Sequence, residues 1–204
     1  MPIVNILSEY QASITRLNTL ITNVHNPAVH TVSLGTDEIV VITESAFLRM
    51  FIAWEGFLEK SFVHYLTGNT SISGKQITCY ANPKDDIHAN QILIGMNKYF
   101  DWSTPETVRR LSKLFLENGE PYETTLASIT SDIYDLKTIR NSVAHISSTT
   151  NKNLDSLGTR KLQRPCSNIT VYDLILATDP LNPTKTVLQS YQDTLAAAAH
   201  QICQ

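Results

Sequence analysis

The chain has 204 residues, enough for one ordinary domain with a sizeable core. Hydrophobic residues make up 42% and charged residues 17%, a balance that excludes an extended disordered chain. The net charge of −3 argues against a protein that coats nucleic acid with a basic surface, although an enzyme acting on RNA at a small site is compatible with it.

The N-terminal part of the chain shows strong helical periodicity. Apolar residues alternate at steps of four and three, which predicts an amphipathic helix over residues 3–24. Its heptad-like seam suits a coiled-coil dimer or one helix of a bundle, and we favour the bundle because the seam ends before Pro27. A loop is predicted over residues 26–38. The β-branched run 39–42 predicts either a short strand or the lead-in to the core helix expected over residues 42–66.

The middle of the chain alternates between turn formers and helix signals. Residues 69–82 are rich in Gly, Ser and Thr, which predicts a loop or a small hairpin insertion. A helix is predicted over residues 87–96. Ser103, Pro105 and Glu106 then have the spacing of a helix start, with a capping hydroxyl, an early proline and a glutamate.

The last third begins with a long periodic segment that predicts one helix over residues 122–147. Residues 149–165 are polar and include lysines and arginines, which indicates a mobile loop. Its positive charge either serves a nearby site or is simply solvated. A short helix over 170–178 and a final helix over 184–203 complete the chain. With no internal repeat, we expect a single all-α domain over residues 1–204.

The cysteine spacing and the hydropathy indicate in which cellular compartment we expect the protein. Cys79, Cys166 and Cys203 are far apart and lack zinc-ligand spacing, which indicates reduced thiols in a cytoplasmic protein. We expect no metal and no cofactor. The first residues lack the pattern of a secretion signal, and no apolar run approaches the ~20 residues that cross a bilayer, so we expect no membrane association.

Within the predicted helix 122–147, apolar and polar residues lie on opposite sides. The apolar stripe comprises Leu136, Ile139, Val143 and Ile146. The opposite, polar face comprises Tyr134, Thr138, Asn141 and His145. Such a helix is anchored through one side and presents a histidine one turn after an asparagine on the other.

Arg140 does not share the polar face. On an ideal helix it lies about 140° from His145, so one straight backbone cannot direct both groups to one point. Three arrangements would bring them together: a bend in the helix, a swing of the long arginine side chain, or a contribution from two copies of the chain.

The motif Arg140-Asn141-x-x-x-His145, late in an all-helical chain, resembles the Arg-x4-His motif of the HEPN superfamily, in the form found in prokaryotic toxin and defence proteins. A second segment, Ala53-Trp54-Glu55-Gly56-Phe57, is similar to one in an early helix of several such families. Together the two segments cover less than a fifth of the chain. The resemblance implies an antiparallel helical bundle with additional helices.

The resemblance also implies an activity. From it we expect a homodimeric, metal-independent endoribonuclease that cleaves RNA to leave a 2′,3′-cyclic phosphate. Such a protein would act as a toxin or anti-phage defence effector and would have a cognate antitoxin or defence-system partner. Arg140 and His145 are then the catalytic pair and Asn141 their polar support. Glu55 either orients Arg140 by an ion pair or lies near the site, and Tyr134 is a second supporting residue. Ser147 replaces a tyrosine that some toxins carry, so control by modification of that tyrosine is not indicated.

Other interpretations remain open from the sequence. Arg140 is also suited to a structural ion pair with Asp135 or Glu55, and a helical histidine is more often structural than catalytic. A non-catalytic nucleotide- or partner-binding scaffold is the alternative function. A third interpretation is a helical protein that dimerises through its N-terminal seam.

Overall fold

The computed structural model describes residues 1–29, 34–95, 99–145 and 147–204. Within these ranges the chain forms nine α-helices and one short β-hairpin, which confirms the predicted all-α class. In chain order the elements are α1 (Ile3–Val24), α2 (Thr36–Leu66), α3 (Asp86–Ile94), α4 (Pro105–Phe115), α5 (Tyr122–Ser128), α6 (Thr130–Ala144), α7 (Ser148–Leu162), α8 (Val171–Leu176), β1 (Thr178–Asp179), β2 (Asn182–Thr186) and α9 (Val187–Cys203). Short 3-10 turns cover Pro27–Val29 and Glu117–Gly119.

Two compact units are formed from segments that are distant in sequence. The first unit comprises Met1–Gln11, Ala53–Ile133 and Leu195–Gln204. The second unit comprises Ala12–Ile52 and Tyr134–Thr194. Helices α1, α2, α6 and α9 therefore contribute residues to both units. The expectation of a single domain stays a prediction.

Aromatic side chains fill the core of the first unit. The rings of Trp54 and Phe57 in α2 stack with 5.7 Å between their centroids, and Tyr10 packs against both. Tyr122 is fully buried, and its hydroxyl donates a hydrogen bond to Ser61 Oγ at 2.9 Å. Because that buried hydroxyl has a partner, it adds no desolvation penalty to the core. The predicted role of α2 as a core helix is confirmed.

The second unit is held by reciprocal polar contacts as well as apolar burial. The side-chain amides of Asn18 and Gln192 donate to each other, at 3.1 and 2.9 Å, and so join α1 to α9. Along α1, most of the predicted seam is buried within the chain: Ile3, Leu7, Tyr10, Leu17, Ile21 and Val24. The seam is thus used inside the fold, as the bundle interpretation requires.

Several predicted boundaries need adjustment. Residues 39–42 lie within α2, so of the two alternatives the lead-in to the core helix is the correct one. Because α2 begins at Thr36, the last three residues of the loop predicted over 26–38 are helical. The predicted helix 122–147 is two helices, α5 and α6, separated at Ile129, whose φ of −115° and ψ of 13° leave the helical region. The hydroxyl of Thr130 donates to the Leu126 carbonyl oxygen at 2.7 Å across this break. Met96 and Ile146, at the ends of two predicted helices, lie outside the described residues.

The predicted loop over 149–165 is mostly α7. Ser147 forms a capping box with Thr150, which satisfies backbone groups at the start of the helix. Leu154, Leu157 and Leu162 are buried along one side of α7 and attach it to the second unit. The polar composition that suggested a loop belongs to the solvent side of this helix.

For residues 69–82 the structure agrees with the loop alternative and not with the small hairpin. Residues 69–82 contain only isolated bridging pairs, such as Thr70 with Gln76. The hairpin instead joins β1 to β2, with Thr178 opposite Thr186. Asp179 Oδ1 accepts the Leu181 N–H at 2.9 Å in the turn of this hairpin. Thr178 and residues 184–186, predicted as the end of one helix and the start of the next, therefore belong to strands.

Candidate active site

Helix α6 carries the motif, and its apolar stripe anchors it as predicted. Leu136 and Ile139 are buried, with exposed fractions of 3% and 0%, and Val143 is half-buried. On the polar face, Tyr134 and His145 are exposed, while Thr138 and Asn141 are partly exposed. The motif helix is therefore fixed by one side and presents its polar side chains to solvent.

Arg140 turns towards the polar face through its side chain. The residue is exposed, and its Nη1 donates a hydrogen bond to Asn141 Oδ1 at 3.1 Å. Asn141 is a residue of the polar face and lies one turn before His145, so the guanidinium is bound to that face at this point. The convergence of Arg140 and His145, by any of the three arrangements, stays a prediction. Asn141 still has two amide N–H groups with which to donate.

His145 lies at the corner between α6 and α7, one residue beyond the end of α6. Its backbone N–H donates to the Asn141 carbonyl oxygen at 2.9 Å, which continues the helical turn through the histidine. Its own carbonyl oxygen accepts the Thr150 hydroxyl at 2.8 Å. The backbone of His145 is therefore fixed from both sides, while its imidazole is exposed.

The start of α7 complements an anion at this corner. The first turn of α7 contains no acidic residue, and Ser147 caps it. Helix N-termini carry partial positive charge and unsatisfied N–H groups. A phosphate near His145 would therefore meet a favourable field from α7 as well as the Arg140 guanidinium.

A buried carboxylate joins α6 to α7 and α9. Asp135 is only 5% exposed; its Oδ1 accepts the Arg160 guanidinium and its Oδ2 accepts the Tyr191 hydroxyl at 2.9 Å. Lys161 Nζ lies 3.4 Å from Oδ2 and 4.4 Å from the centre of the Tyr191 ring. This Asp135 cluster fixes α6 one to two turns before the motif. The Asp135 carboxylate, one of the two structural partners proposed for Arg140, is therefore bound to Arg160, Lys161 and Tyr191.

The two residues predicted to support the site, Tyr134 and Glu55, lie in different units. Tyr134 lies at the surface of α6 with 44% of its area exposed, so it is accessible on the predicted polar face. Glu55 is partly buried in α2 and belongs to the first unit, whereas Arg140 belongs to the second. An ion pair between Glu55 and Arg140 stays a prediction.

Sequence reasoning missed the residues that hold the corner. Thr150 and Ser147 fix the backbone of His145, but the familiar capping box has Glu or Gln at the third helical position, where this chain has threonine. Asp135, Arg160 and Tyr191 come from three different helices. One feature of the sequence could have pointed to them: Asp135 lies next to the apolar stripe of α6, and a carboxylate that is buried there requires a partner.

The first unit contains a second histidine environment of a different kind. His64 is 6% exposed and borders two pockets, of 590 and 360 Å³. Its Nδ1 lies 2.9 Å from the Met1 carbonyl oxygen and its Nε2 lies 3.0 Å from that of Thr70. With both ring nitrogens bound to backbone, His64 joins structural segments, and the exposed imidazole of His145 is the better candidate for proton transfer.

No family model, curated protein or solved structure matches this chain. Among the described residues, no helix has the length and apolar character needed to cross a bilayer. In the same part of the chain, no three His, Cys, Asp or Glu side chains are grouped so that they could hold a metal ion.

Proposed function

We propose that this protein is a metal-independent endoribonuclease of the HEPN type. The observation that carries the proposal is that Arg140 and His145 are both exposed at the end of the motif helix, with the Arg140 guanidinium donating to Asn141 of the same motif. A cation with paired donors and an imidazole are the two kinds of group that suit metal-free cleavage of a phosphodiester.

The proposed reaction begins at the ribose 2′-hydroxyl. An imidazole nitrogen of His145 takes its proton, and the 2′-oxygen forms a bond to phosphorus. Arg140 and the amide N–H groups of Asn141 stabilise the charge on the non-bridging oxygens. The bond from phosphorus to the 5′-oxygen breaks, and that oxygen takes a proton from a second imidazole, which enters the step protonated and leaves it neutral. The products are a 2′,3′-cyclic phosphate and a 5′-hydroxyl.

The need for two imidazoles is the chemical reason for proposing a homodimer. One histidine cannot act as base and acid at the same moment, and a two-fold axis would bring a second His145 and a second Arg140 to the same cleft. We propose that the site is composite in this sense. The protein would then act as a toxin or anti-phage defence effector, restrained by a cognate antitoxin or defence-system partner.

The decisive experiment measures RNA cleavage by the purified chain in the presence of a metal chelator. We expect His145→Ala to lower the rate by about 10²- to 10⁴-fold, the range for a lost general acid–base group. His200→Ala is the matched control, since this histidine is also exposed on a helix but lies outside the motif. Equal activity of the His145→Ala and unsubstituted proteins would remove the catalytic assignment.

The arginine is tested separately. We expect Arg140→Ala to lower the rate by about 10²- to 10³-fold, as for the loss of one charge-stabilising donor. Arg140→Lys should restore only part of this, because lysine keeps the charge but lacks the planar pair of donors. Products are assigned by their chain ends, and a 3′-hydroxyl would exclude the cyclic-phosphate route.

The dimer is tested by light scattering after gel filtration. A composite site predicts a mass of twice the 22.8 kDa chain at the concentrations at which RNA is cut. Cleavage by a monomer would contradict the two-chain mechanism but leave the roles of Arg140 and His145 in place. If RNA binds without being cut, the scaffold function replaces the enzyme.

A further inference from the structure

Positive charge is concentrated in one short part of this acidic protein. Residues 136–165 contain six of the chain's sixteen lysines and arginines but only one of its nineteen aspartates and glutamates, Asp155. The rest of the chain is correspondingly acidic. The segment begins in the motif helix and continues through α7, so basic residues outnumber acidic ones along this stretch although the net charge of the chain is −3. Two of the six cations, Arg160 and Lys161, pair with Asp135, the residue just before the segment.

Helix α7 has one side that is entirely polar and exposed. At 100° per residue, five exposed side chains fall within a single arc of about 100°. We call this arc the α7 polar face, and its members are Thr149, Lys152, Asn153, Ser156 and Arg160. It contains hydroxyls, an amide and two cations, without an acidic or apolar side chain.

The opposite side of α7 is occupied by packing. The single acid, Asp155, accepts the Ile169 N–H at 2.9 Å and so faces the segment that follows the helix. A Cβ at Gly158 would lie 3.2 Å from the Ile169 side chain, which shows how closely that segment approaches. The one negative charge of α7 is therefore directed away from the α7 polar face.

We propose that the α7 polar face binds the sugar-phosphate backbone of single-stranded RNA next to the corner. This inference rests on the proposed function, because the face starts four residues after His145 and continues away from it along α7. Lys152 provides a charge for a phosphate, and within the described residues no acidic side chain pairs with it. Arg160, bound to Asp135, keeps about half of its side chain exposed.

The composition of the α7 polar face also predicts which parts of an RNA strand it contacts. Hydroxyl and amide side chains suit phosphate oxygens and 2′-hydroxyls, and the face has no aromatic ring on which a base could stack. The α7 polar face would therefore position a strand without selecting its sequence. Specificity for a base would have to come from another part of the protein.

The test is equilibrium binding of a labelled single-stranded RNA to the full-length His145→Ala protein, over a range of salt concentrations. We expect Lys152→Gln to weaken binding about 8-fold at ~50 mM salt and about 3-fold at ~200 mM, from one lost phosphate contact on a single strand. The slope of log affinity against log salt should decrease in magnitude by about 0.7. Lys75→Gln, at an exposed lysine of the first unit, is the matched control and should change nothing.

A second variant tests the centre of the face without removing a lysine. Ser156→Glu places a negative charge in the middle of the α7 polar face and should weaken binding at least as much as Lys152→Gln, with circular dichroism confirming that the helix content is kept. Unchanged affinity in both variants, or equal losses for Lys152→Gln and Lys75→Gln, overturns the inference, as does an absence of RNA binding by the parent.

The two proposals fail differently. Binding that depends on Lys152, combined with no cleavage by the unsubstituted protein, would contradict the nuclease and leave the RNA-binding face in place. Cleavage that depends on His145, combined with binding that ignores Lys152 and Ser156, would contradict the face and leave the nuclease in place.

Discussion

Removing the hydroxyl of Tyr191 should destabilise the protein through the Asp135 cluster. The hydroxyl donates to Asp135 Oδ2 at 2.9 Å, and both residues are buried, with exposed fractions of 3% and 5%. Hydrogen bonds to a charged partner contribute about 1.5–3 kcal/mol to stability. Because Arg160 and Lys161 still neutralise the carboxylate, and phenylalanine keeps a ring beneath Lys161, we expect Tyr191→Phe to cost about 1.5–2 kcal/mol.

The measurement is urea unfolding followed by circular dichroism at neutral pH. The loss should appear as a lower midpoint with an unchanged slope, and as a fall in Tm of about 3–8 °C for a chain of this size. Tyr65→Phe is the reference variant, since Tyr65 donates to a neutral carbonyl oxygen, that of Ile202, at 2.7 Å and should cost only about 1 kcal/mol. A Tyr191→Phe protein as stable as the unsubstituted one, or more stable than Tyr65→Phe, would refute the role of the charged acceptor.

Three further predictions concern ionisable and glycine positions. The hydrogen bond from Arg109 lowers the pKa of Glu123 from 4.5 to about 2. With solvent screening of this pair, Glu123→Gln should cost about 1–2 kcal/mol above pH 4.5, and this difference in the free energy of unfolding should be lost as the pH falls through about 2. Burial raises the pKa of the Cys203 thiol to about 12, so iodoacetamide should modify the partly exposed Cys166 and spare Cys203 in the native protein, as read by mass spectrometry of peptides. Gly119 has a φ of +74°, and a Cβ there would lie 2.9 Å from a side-chain oxygen of α4, so Gly119→Ala should lower the urea midpoint by the equivalent of about 1–3 kcal/mol.

The elements that could be predicted from the sequence are those whose periodicity is set by burial. Helix α2 buries a broad apolar face, and Trp54 within it is completely inaccessible to solvent. The apolar periodicity of the sequence therefore marks the same side of α2 that the structure buries. The start of α4 was equally accessible to prediction, because Pro105 suits the first helical position. There, however, the Thr104 hydroxyl donates to Asp101 at 2.8 Å and does not cap the helix.

Helix α7 could not be found in this way. Its first six residues are one serine, two threonines, two asparagines and one lysine, most of which are weak helix formers. The helix is stabilised by its capping box, by three buried leucines and by the bond from Arg160 to Asp135. That bond joins positions 25 residues apart, and no local window contains both of them.

The residues of the candidate site are named from the sequence alone, and their roles stay predictions. Backbone periodicity places Arg140 about 140° from His145, and in the structure the long Arg140 side chain donates to Asn141 on the polar face. Which way an exposed arginine turns depends on a neighbouring acceptor and not on helical phase, so this contact could not be predicted from the sequence.

The structure separates the groups that hold the corner from the groups proposed to act there. Asp135 and Tyr191 are buried, and Thr150 fixes the backbone of His145 through its carbonyl oxygen. His145 and Arg140, by contrast, are exposed. Replacing either of them should therefore leave the free energy of unfolding within about 0.5 kcal/mol, as for ordinary surface positions. A loss of RNA cleavage in those variants can then be attributed to missing chemistry and not to a missing fold.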